Sequence, residues 1–170
     1  MIKIKRVETK HELKQFVQFY YDLYRGCDSA VPFLYSDEMA TLRRDKNPSF
    51  ECCEAEYFLA FKDGKIAGRV AAIINHRANE RWGCRQVRFG WFDFIDDPEV
   101  SKALLKAVED WGKAKSMTEI AGPLGFSIPT ARECWLTVST SLVPCISTTT
   151  ILTTHSTWSR WTDSIRITTT

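Results

Sequence analysis

The residues best suited to chemistry are carboxylates in the segment from Phe89 to Glu99. Asp93 follows an aromatic run and lies between Phe92 and Phe94. Apolar neighbours disfavour the ionised form of a carboxyl group and tune it to accept protons near neutral pH, so Asp93 is a candidate general base. The alternative is a structural carboxylate at a strand end, hydrogen-bonded to a loop amide. The sequence leaves both interpretations open.

The cysteines are the other reactive side chains. The six lie at positions 27, 52, 53, 84, 134 and 145, without a C-x-x-C pair and without the alternation with histidine that encloses zinc. We therefore interpret them as reduced thiols and predict no metal site and no disulfide framework. The vicinal pair Cys52 and Cys53 is the one position where redox chemistry stays open.

Composition restricts the class of protein. The chain has 170 residues, of which 44% are apolar and 26% charged, as in one ordinary globular domain. Lys and Arg number 23 against 21 Asp and Glu, without a long basic block, so we predict no nucleic-acid partner. Apolar runs of about five residues and a polar N-terminus predict a cytoplasmic protein with no membrane partner.

The composition changes after Phe126. Residues 1–126 contain all eight Gly, eleven Lys and nineteen acidic residues, whereas residues 127–170 contain no Gly, no Lys and twenty Ser or Thr. One interpretation is a disordered Ser/Thr-rich tail, because such a segment buries little apolar surface. The other is a segment translated out of frame.

The second interpretation has support from the genetic code. With codons chosen for the purpose, residues 147–155 read from the third base encode Tyr-Tyr-Asn-Tyr-Pro-Tyr-Tyr-Pro. That aromatic, proline-containing sequence resembles residues 1–126 more closely than the tail does. We hypothesise a frameshift, which the nucleotide sequence around the Phe126 codon tests.

Hydrophobic periodicity in residues 1–126 predicts the elements that position the carboxylates. A capping box from Thr9 to Glu12 begins an amphipathic helix, and Ser36 caps a second one. An Asp-Gly turn joins two antiparallel strands at 56–61 and 66–75. The remaining predicted elements are a first strand at 2–7, a charged loop at 76–85, a strand at 86–95, a helix from 98 to 115 and a last strand from 118.

Side-chain alternation predicts how these elements pack. In the strand at 86–95, Val87, Phe89 and Trp91 share one face, and Phe92 and Phe94 share the other. Both faces are apolar, which predicts helices on each side of the sheet. The hairpin and the helix at 98–115 are expected to pack together through residues of alternating and helical spacing, namely Phe58, Ile73, Leu104 and Val108.

The order strand, helix, helix, three strands, helix, strand resembles the GNAT superfamily of N-acetyltransferases. Three motifs resemble a bacterial, longer branch of GNAT-like proteins: the segment from Phe89 to Asp97, the pair Asp110-Trp111, and Ile120-Ala-Gly-Pro123. The resemblance covers residues 1–126. It implies an α/β (α+β) fold with a mixed, mainly antiparallel sheet flanked by helices and incomplete at the C-terminus.

The resemblance also implies a function. GNAT enzymes transfer an acyl group from acetyl-CoA or another acyl-CoA to an amine on a small-molecule or other substrate. The alternative is a non-catalytic GNAT-fold interaction domain whose contact is the aromatic loop at residues 31–35. The catalytic helix residue that many family members carry has no counterpart in residues 1–126.

The family binds the cofactor diphosphate at a glycine-containing helix N-terminus. Here Asp96, Asp97 and Glu99 occupy the corresponding positions, and three carboxylates oppose a diphosphate. The resemblance predicts weak acetyl-CoA binding, and an ordinary helix cap is the alternative interpretation of these acids. From their positions in the resembling segment, the resemblance implies that five residues contact the cofactor, namely Phe92, Phe94, Ile95, Val100 and Ser101.

Overall fold

The structure is a computed structural model that describes residues 1–27, residue 30 and residues 33–126. Residues 127–170 lie outside the described residues, so the disordered-tail and frameshift interpretations stay predictions. The described chain forms one five-stranded sheet in which each strand neighbours the next in sequence. The strands are β1 (Ile2–Arg6), β2 (Cys53–Lys62), β3 (Lys65–Asn75), β4 (Gln86–Phe94) and β5 (Glu119–Ala121).

Helices cover both faces of this sheet. They are α1 (Lys10–Leu23), α2 (Tyr35–Leu42), α3 (His76–Trp82) and α4 (Pro98–Ala114), with a short 3-10 turn at Pro48–Glu51. Residues of α1 and α2 pack in one hydrophobic core with the inner side chains of β2 and β3. The α4 residues Leu104 and Val108 pack in a second core on the opposite face.

The pairing confirms the predicted mixed, mainly antiparallel sheet. The first three strand pairs are antiparallel, and β4 and β5 are parallel. The predicted turn is also present, because Asp63 and Gly64 both have positive φ, at 51° and 80°, as a two-residue hairpin requires. At the start of α1, the Thr9 hydroxyl accepts from the Glu12 N–H and the Glu12 carboxylate accepts from the Thr9 N–H, as in a capping box.

Two local predictions are wrong. The segment at 76–85 contains a helix, α3, because the Asn75 side chain accepts from the Ala78 N–H and Gly83 ends the helix in the left-handed region. Ser36 does not cap α2. The helix begins at Tyr35, two residues earlier than a cap at Ser36 predicts, and the Ser36 hydroxyl donates to the Asp37 carboxylate.

The predicted packing needs one correction. Phe58, Leu104 and Val108 share the α4-facing core, as expected. Ile73 lies in the core on the α1 face instead. Its neighbours Ala72 and Ile74 face α4, and side chains alternate along a strand, so Ile73 must point the other way.

Within residues 1–27, 30 and 33–126, no helix is long and apolar enough to cross a membrane.

Candidate active site

The last two strands separate partway along β4. Residues Gln86 to Arg88 of β4 pair in parallel with Glu119 to Ala121 of β5. After β5, the Leu124 N–H donates one further hydrogen bond to the Phe89 carbonyl, and the chain then turns away from β4. Among the described residues, no strand pairs with this edge of β4 from Trp91 to Phe94. Of this edge of β4, β5 therefore covers only the part from Gln86 to Phe89.

Glycine allows the close approach that precedes the separation. A Cβ atom at Gly90 would lie 2.6 Å from the Leu124 carbonyl oxygen, a backbone atom that cannot move aside independently. Only glycine fits at this point of contact without displacing the chain that leaves β5.

A β-bulge changes the direction of the side chains in β4. The register against β3 shifts between Arg69 and Ala71, and Trp91 has φ of +46°, in the left-handed region. The predicted face assignment is therefore wrong beyond Gly90. Phe92 and Phe94 lie in the α4-facing core with Phe89, and Trp91 packs against the opposite core.

A buried ion pair lies next to the bulge on the α1 face. Arg69 Nε and Nη2 each donate to Asp93 Oδ2 at 2.7 Å, and both side chains are nearly inaccessible to solvent. Arg69 Nη1 also donates to the Phe16 carbonyl at 3.0 Å. Tyr24 donates from its hydroxyl to Asp93 Oδ1 at 3.2 Å. Both oxygens of this carboxylate are therefore engaged.

The structure corrects the expected surroundings of Asp93. Phe92 and Phe94 face α4, so they do not enclose the carboxylate. Its neighbours include the Arg69 guanidinium and the Tyr24 hydroxyl. A catalytic role for Asp93 stays a prediction, and the observed contacts are those of a structural ion pair.

A second buried carboxylate, Glu38 of α2, lies beside the same bulge. The Trp91 indole N–H donates to Glu38 Oε2 at 2.7 Å, and Glu38 is only 9% exposed. Burial raises the pKa of the Glu38 carboxyl, and the Asp93 charge acts in the same direction. The Trp91 hydrogen bond and the Arg69 charge oppose that rise without cancelling it.

Aromatic side chains surround the two carboxylates on the side of α1. Tyr20 lies 4.8 Å from Tyr24 and 5.6 Å from Phe33, and Tyr21 lies 5.8 Å from Tyr35, measured between ring centroids. Burial raises the pKa of Tyr20 to about 12, and the Asp93 charge adds to this rise. We call these five residues the aromatic wall.

The N-terminus of α4 is occupied by its own cap. Asp97 Oδ1 accepts from the Glu99 N–H at 2.9 Å, and Lys62 Nζ lies 2.5 Å from Asp97 Oδ2. The Lys62 ammonium, with the Glu99 N–H bond, holds the pKa of Asp97 below its usual range. The ordinary helix cap that we considered as the alternative for these acids is thus present.

The five residues that the resemblance implies as cofactor contacts differ in their exposure to solvent. Four of them are buried in or beside the α4-facing core and one is partly exposed. Phe92, Phe94, Val100 and Ser101 are 0–9% exposed, and Ile95 is 36% exposed. Their assignment as cofactor contacts stays a prediction.

Sequence reasoning missed Glu38 and Arg69. A signal existed for each of them. Arg69 interrupts the apolar run of β3, and a charged residue in a buried strand is unusual. Glu38 precedes the buried Leu42 by four residues, which places it on the buried side of α2.

The chain resembles known proteins in both sequence and fold. No protein-family model matches the chain. Protein YghO of Escherichia coli (strain K12) is 35% identical over 120 residues, which cover 71% of this chain and 30% of that protein. The bacterial ceramide synthase of Caulobacter vibrioides (strain NA1000 / CB15N) is 32% identical over 123 residues, covering 72% and 32% respectively. The chain therefore spans about a third of the length of these curated relatives.

Solved structures match at lower sequence identity. A tandem GNAT protein from the clavulanic acid biosynthesis pathway has a TM-score of 0.56 at 12% identity, covering 79% of this chain and 42% of that one. A GNAT-family acetyltransferase from Staphylococcus aureus Mu50 has a TM-score of 0.52 at 13% identity, covering 71% of both chains. This chain has the GNAT fold. At these identities the structural likeness shows the fold and nothing finer.

The GNAT fold implies an acyl-CoA donor, and the residues present fit only part of that molecule. The edge of β4 beyond the β5 pairing suits the amide groups of a pantetheine arm, which pair with backbone as an added strand does. The capped N-terminus of α4 does not suit the diphosphate, because Asp96, Asp97 and Glu99 place negative charge where the helix would otherwise attract an anion.

We expect CoA to bind weakly to the wild-type chain for this reason. Asp97→Gly exposes the N–H groups of α4 and frees Lys62, and should raise the affinity about tenfold, or ~1.4 kcal/mol. Asp97→Asn is the matched variant, since asparagine removes the charge but still caps the helix. It should give a smaller gain. Calorimetry measures all three, and submicromolar binding to the wild type would contradict the prediction.

Proposed function

We propose that this chain is part of an N-acyltransferase that converts an acyl thioester and an amine into an amide and a free thiol. The observation that carries the proposal is the separation of β5 from β4 directly beside buried carboxylates. A free strand edge holds an extended thioester arm. A carboxylate on the neighbouring face orients an amine and takes up its proton. The donor supplies the acyl group, and this chain's residues orient the two substrates and take up the proton of the amine.

The proposed acceptor is an amine with a long apolar chain. A ceramide is the amide of a long-chain amino alcohol, and the Caulobacter relative is a ceramide synthase by name. Apolar surface is available close to this site, because Phe33 of the aromatic wall precedes Leu34, which is 70% exposed. The expectations that neither nucleic acid nor a membrane is a partner stay predictions.

One observation favours the non-catalytic alternative. The cap at α4 replaces the diphosphate site by which the family holds its donor. A GNAT-fold interaction domain would keep the sheet without needing that site. Part of its predicted contact loop, at residues 31–32, lies outside the described residues.

The test is amide formation by the full chain. Palmitoyl-CoA serves as the donor and sphinganine as the acceptor, and mass spectrometry detects the amide. Ethanolamine, which has the amino alcohol without the long chain, is the matched acceptor. Faster acylation of sphinganine supports both the reaction and the acceptor class, and equal rates contradict the acceptor class. Absence of both amides supports the interaction domain.

A further inference from the structure

Two cysteines lie side by side where β2 begins. Cys52 follows the 3-10 turn with φ of −128° and ψ of 3°, so its backbone is not extended. Its side chain and that of Cys53 therefore do not point to opposite faces as they would within a strand, and the two sulfur atoms are 3.9 Å apart. Cys53 is 4% exposed, whereas Cys52 is partly exposed. The pair is a preformed dithiol with one buried and one accessible thiol.

A buried guanidinium lies near this dithiol. Arg88 of β4 is 1% exposed, and its Nε and Nη1 atoms have no hydrogen-bond partner among residues 1–27, 30 and 33–126. Burial lowers the pKa of this guanidinium, and the charges of the Cys53 and Cys84 thiolates act in the opposite direction. Arginine nevertheless stays protonated in proteins. Arg88 is thus a buried cation beside thiols whose ionised forms would compensate its charge.

The charge of Arg88 decides which thiol chemistry this site favours. The Trp82 ring centroid lies 5.9 Å from Arg88 Cζ, and an aromatic face offsets only part of a buried charge. The remaining charge favours a thiolate and opposes a second cation such as a metal ion. Consistently, the described part of the chain contains no group of three His, Cys, Asp or Glu side chains placed to hold a metal. The site favours reactions of a thiolate with a neutral electrophile.

A cavity gives small molecules access to the buried thiol's segment. β1 pairs with β2 only from Phe58 to Lys62, which leaves the start of β2 open at this edge. Along it lies a cavity of about 610 Å³ that has Cys53, Phe50 and Trp111 among its lining residues. A hydroperoxide, which is small and neutral, fits within this volume.

We propose that Cys52 and Cys53 form a reversible vicinal disulfide when a hydroperoxide oxidises them, and that Arg88 is the positioning residue that supports negative charge on Cys53. In the first step the Cys52 sulfur attacks the hydroperoxide R–OOH, the O–O bond breaks, and a sulfenic acid and R–OH form. In the second step the Cys53 thiolate attacks the Cys52 sulfur and the S–O bond breaks. The leaving hydroxide takes the Cys53 proton and forms water. The two thiols lose two electrons, which the hydroperoxide gains.

The surroundings of each thiol determine this order. Cys52 reacts first because it is the more exposed of the two. Burial, followed by the neighbouring Cys52 sulfur, raises the pKa of Cys53 to about 12, and the Arg88 charge opposes this rise. The second step therefore needs the cation. Cys84 is held away from the pair, since its thiol donates to Asn79 Oδ1 at 3.6 Å.

Hydrogen peroxide added to the reduced full chain tests the reaction. Trypsin cleaves after Lys46 and Lys62 and releases residues 47–62, which contain Cys52 and Cys53 and no other cysteine. After the remaining thiols are alkylated, mass spectrometry should find this peptide unalkylated and lighter by two hydrogen atoms. Dithiothreitol should restore alkylation at both positions.

Three cysteine outcomes decide the pairing. Cys53→Ser should stop at a Cys52 sulfenic acid, which dimedone traps, and Cys84→Ser should still form the disulfide. A disulfide that joins Cys84 to either thiol overturns the inference. So does a wild type in which Cys52 stops at the sulfenic acid.

A competition with dimedone tests Arg88 separately. An opposite charge shifts a thiol pKa by about 1–3 units, and the greater nucleophilicity of a more basic thiolate recovers about half of the lost rate. Arg88→Met should therefore raise the ratio of dimedone-labelled Cys52 to disulfide about tenfold. Arg88→Lys keeps the charge and should stay close to the wild type. Arg85→Met, which removes an exposed arginine from the same segment, is the matched control and should also stay close to it.

Urea denaturation distinguishes this role from a structural one. Arg88→Met removes a buried charge that has no hydrogen-bond partner at two of its nitrogen atoms, so its unfolding midpoint should equal or exceed that of the wild type. A lower midpoint would show that the guanidinium stabilises the fold through a partner of its own. An unchanged ratio of dimedone adduct to disulfide would show that Arg88 does not act on Cys53. Either result overturns the role of Arg88.

Discussion

Replacing Arg69 by methionine is expected to lower the free energy of unfolding by about 3–5 kcal/mol. Arg69 is 2% exposed, and its loss would leave the buried Asp93 carboxylate without its cation. Methionine has a similar apolar stem, so the cost arises from the stranded charge rather than from a cavity. Urea denaturation of the full chain measures the change.

Two further contacts make Arg69 a central residue of this face. Its guanidinium lies 5.2 Å from the Phe16 ring centroid and 5.3 Å from that of Tyr20. It also donates to the Phe16 carbonyl, which ties β3 to the middle of α1. Loss of the cation should therefore loosen α1 and the aromatic wall against the sheet.

A double variant separates the stranded charge from the other contacts. Arg69→Met with Asp93→Leu removes both charges, and buried pairs replaced by apolar residues are often neutral or more stable. We expect the double variant to recover most of the stability that Arg69→Met loses. A double variant as unstable as the single one would show that the Phe16 contacts dominate.

The elements that sequence predicts correctly are defined by neighbouring residues. The capping box at Thr9 and Glu12, the Asp63-Gly64 turn and the stripe of α4 each depend on residues a few positions apart. Local hydrogen bonds and helical spacing determine such features before tertiary contacts form. The helix α3 was missed because its cap, Asn75, lies within the strand pattern of β3.

The candidate site depends on contacts between segments that are distant in sequence, so local sequence patterns predict it poorly. Trp91 contacts Glu38 across 53 positions of sequence, and Asp93 contacts Arg69 across 24. The bulge at Trp91 shifts the alternation by one residue, which moves every later side chain of β4 to the other face. No local pattern indicates that extra residue, so simple alternation predicts the wrong face for Phe92 and Phe94.

Replacing Leu104 by alanine is expected to cost about 2–5 kcal/mol of unfolding free energy. Leu104 is fully buried in the α4-facing core, where its Cδ1 atom packs over Gly68 of β3. A Cβ atom at Gly68 would lie 2.8 Å from that atom, so strand and helix are already in tight contact. The surrounding backbone cannot collapse into the space that alanine would leave, which places the expected cost in the upper part of the range.

Leu105→Ala is the matched control for this prediction. Leu105 is the same residue type on the same helix, but it is only partly buried at the margin of the core. Its truncation should cost less than half as much, because less apolar surface is lost and solvent can fill the space. Chemical denaturation of both variants, with circular dichroism as the readout, gives the comparison. Equal losses would mean that α4 is rotated about its axis relative to the sheet, and that Gly68 does not mark the contact between them.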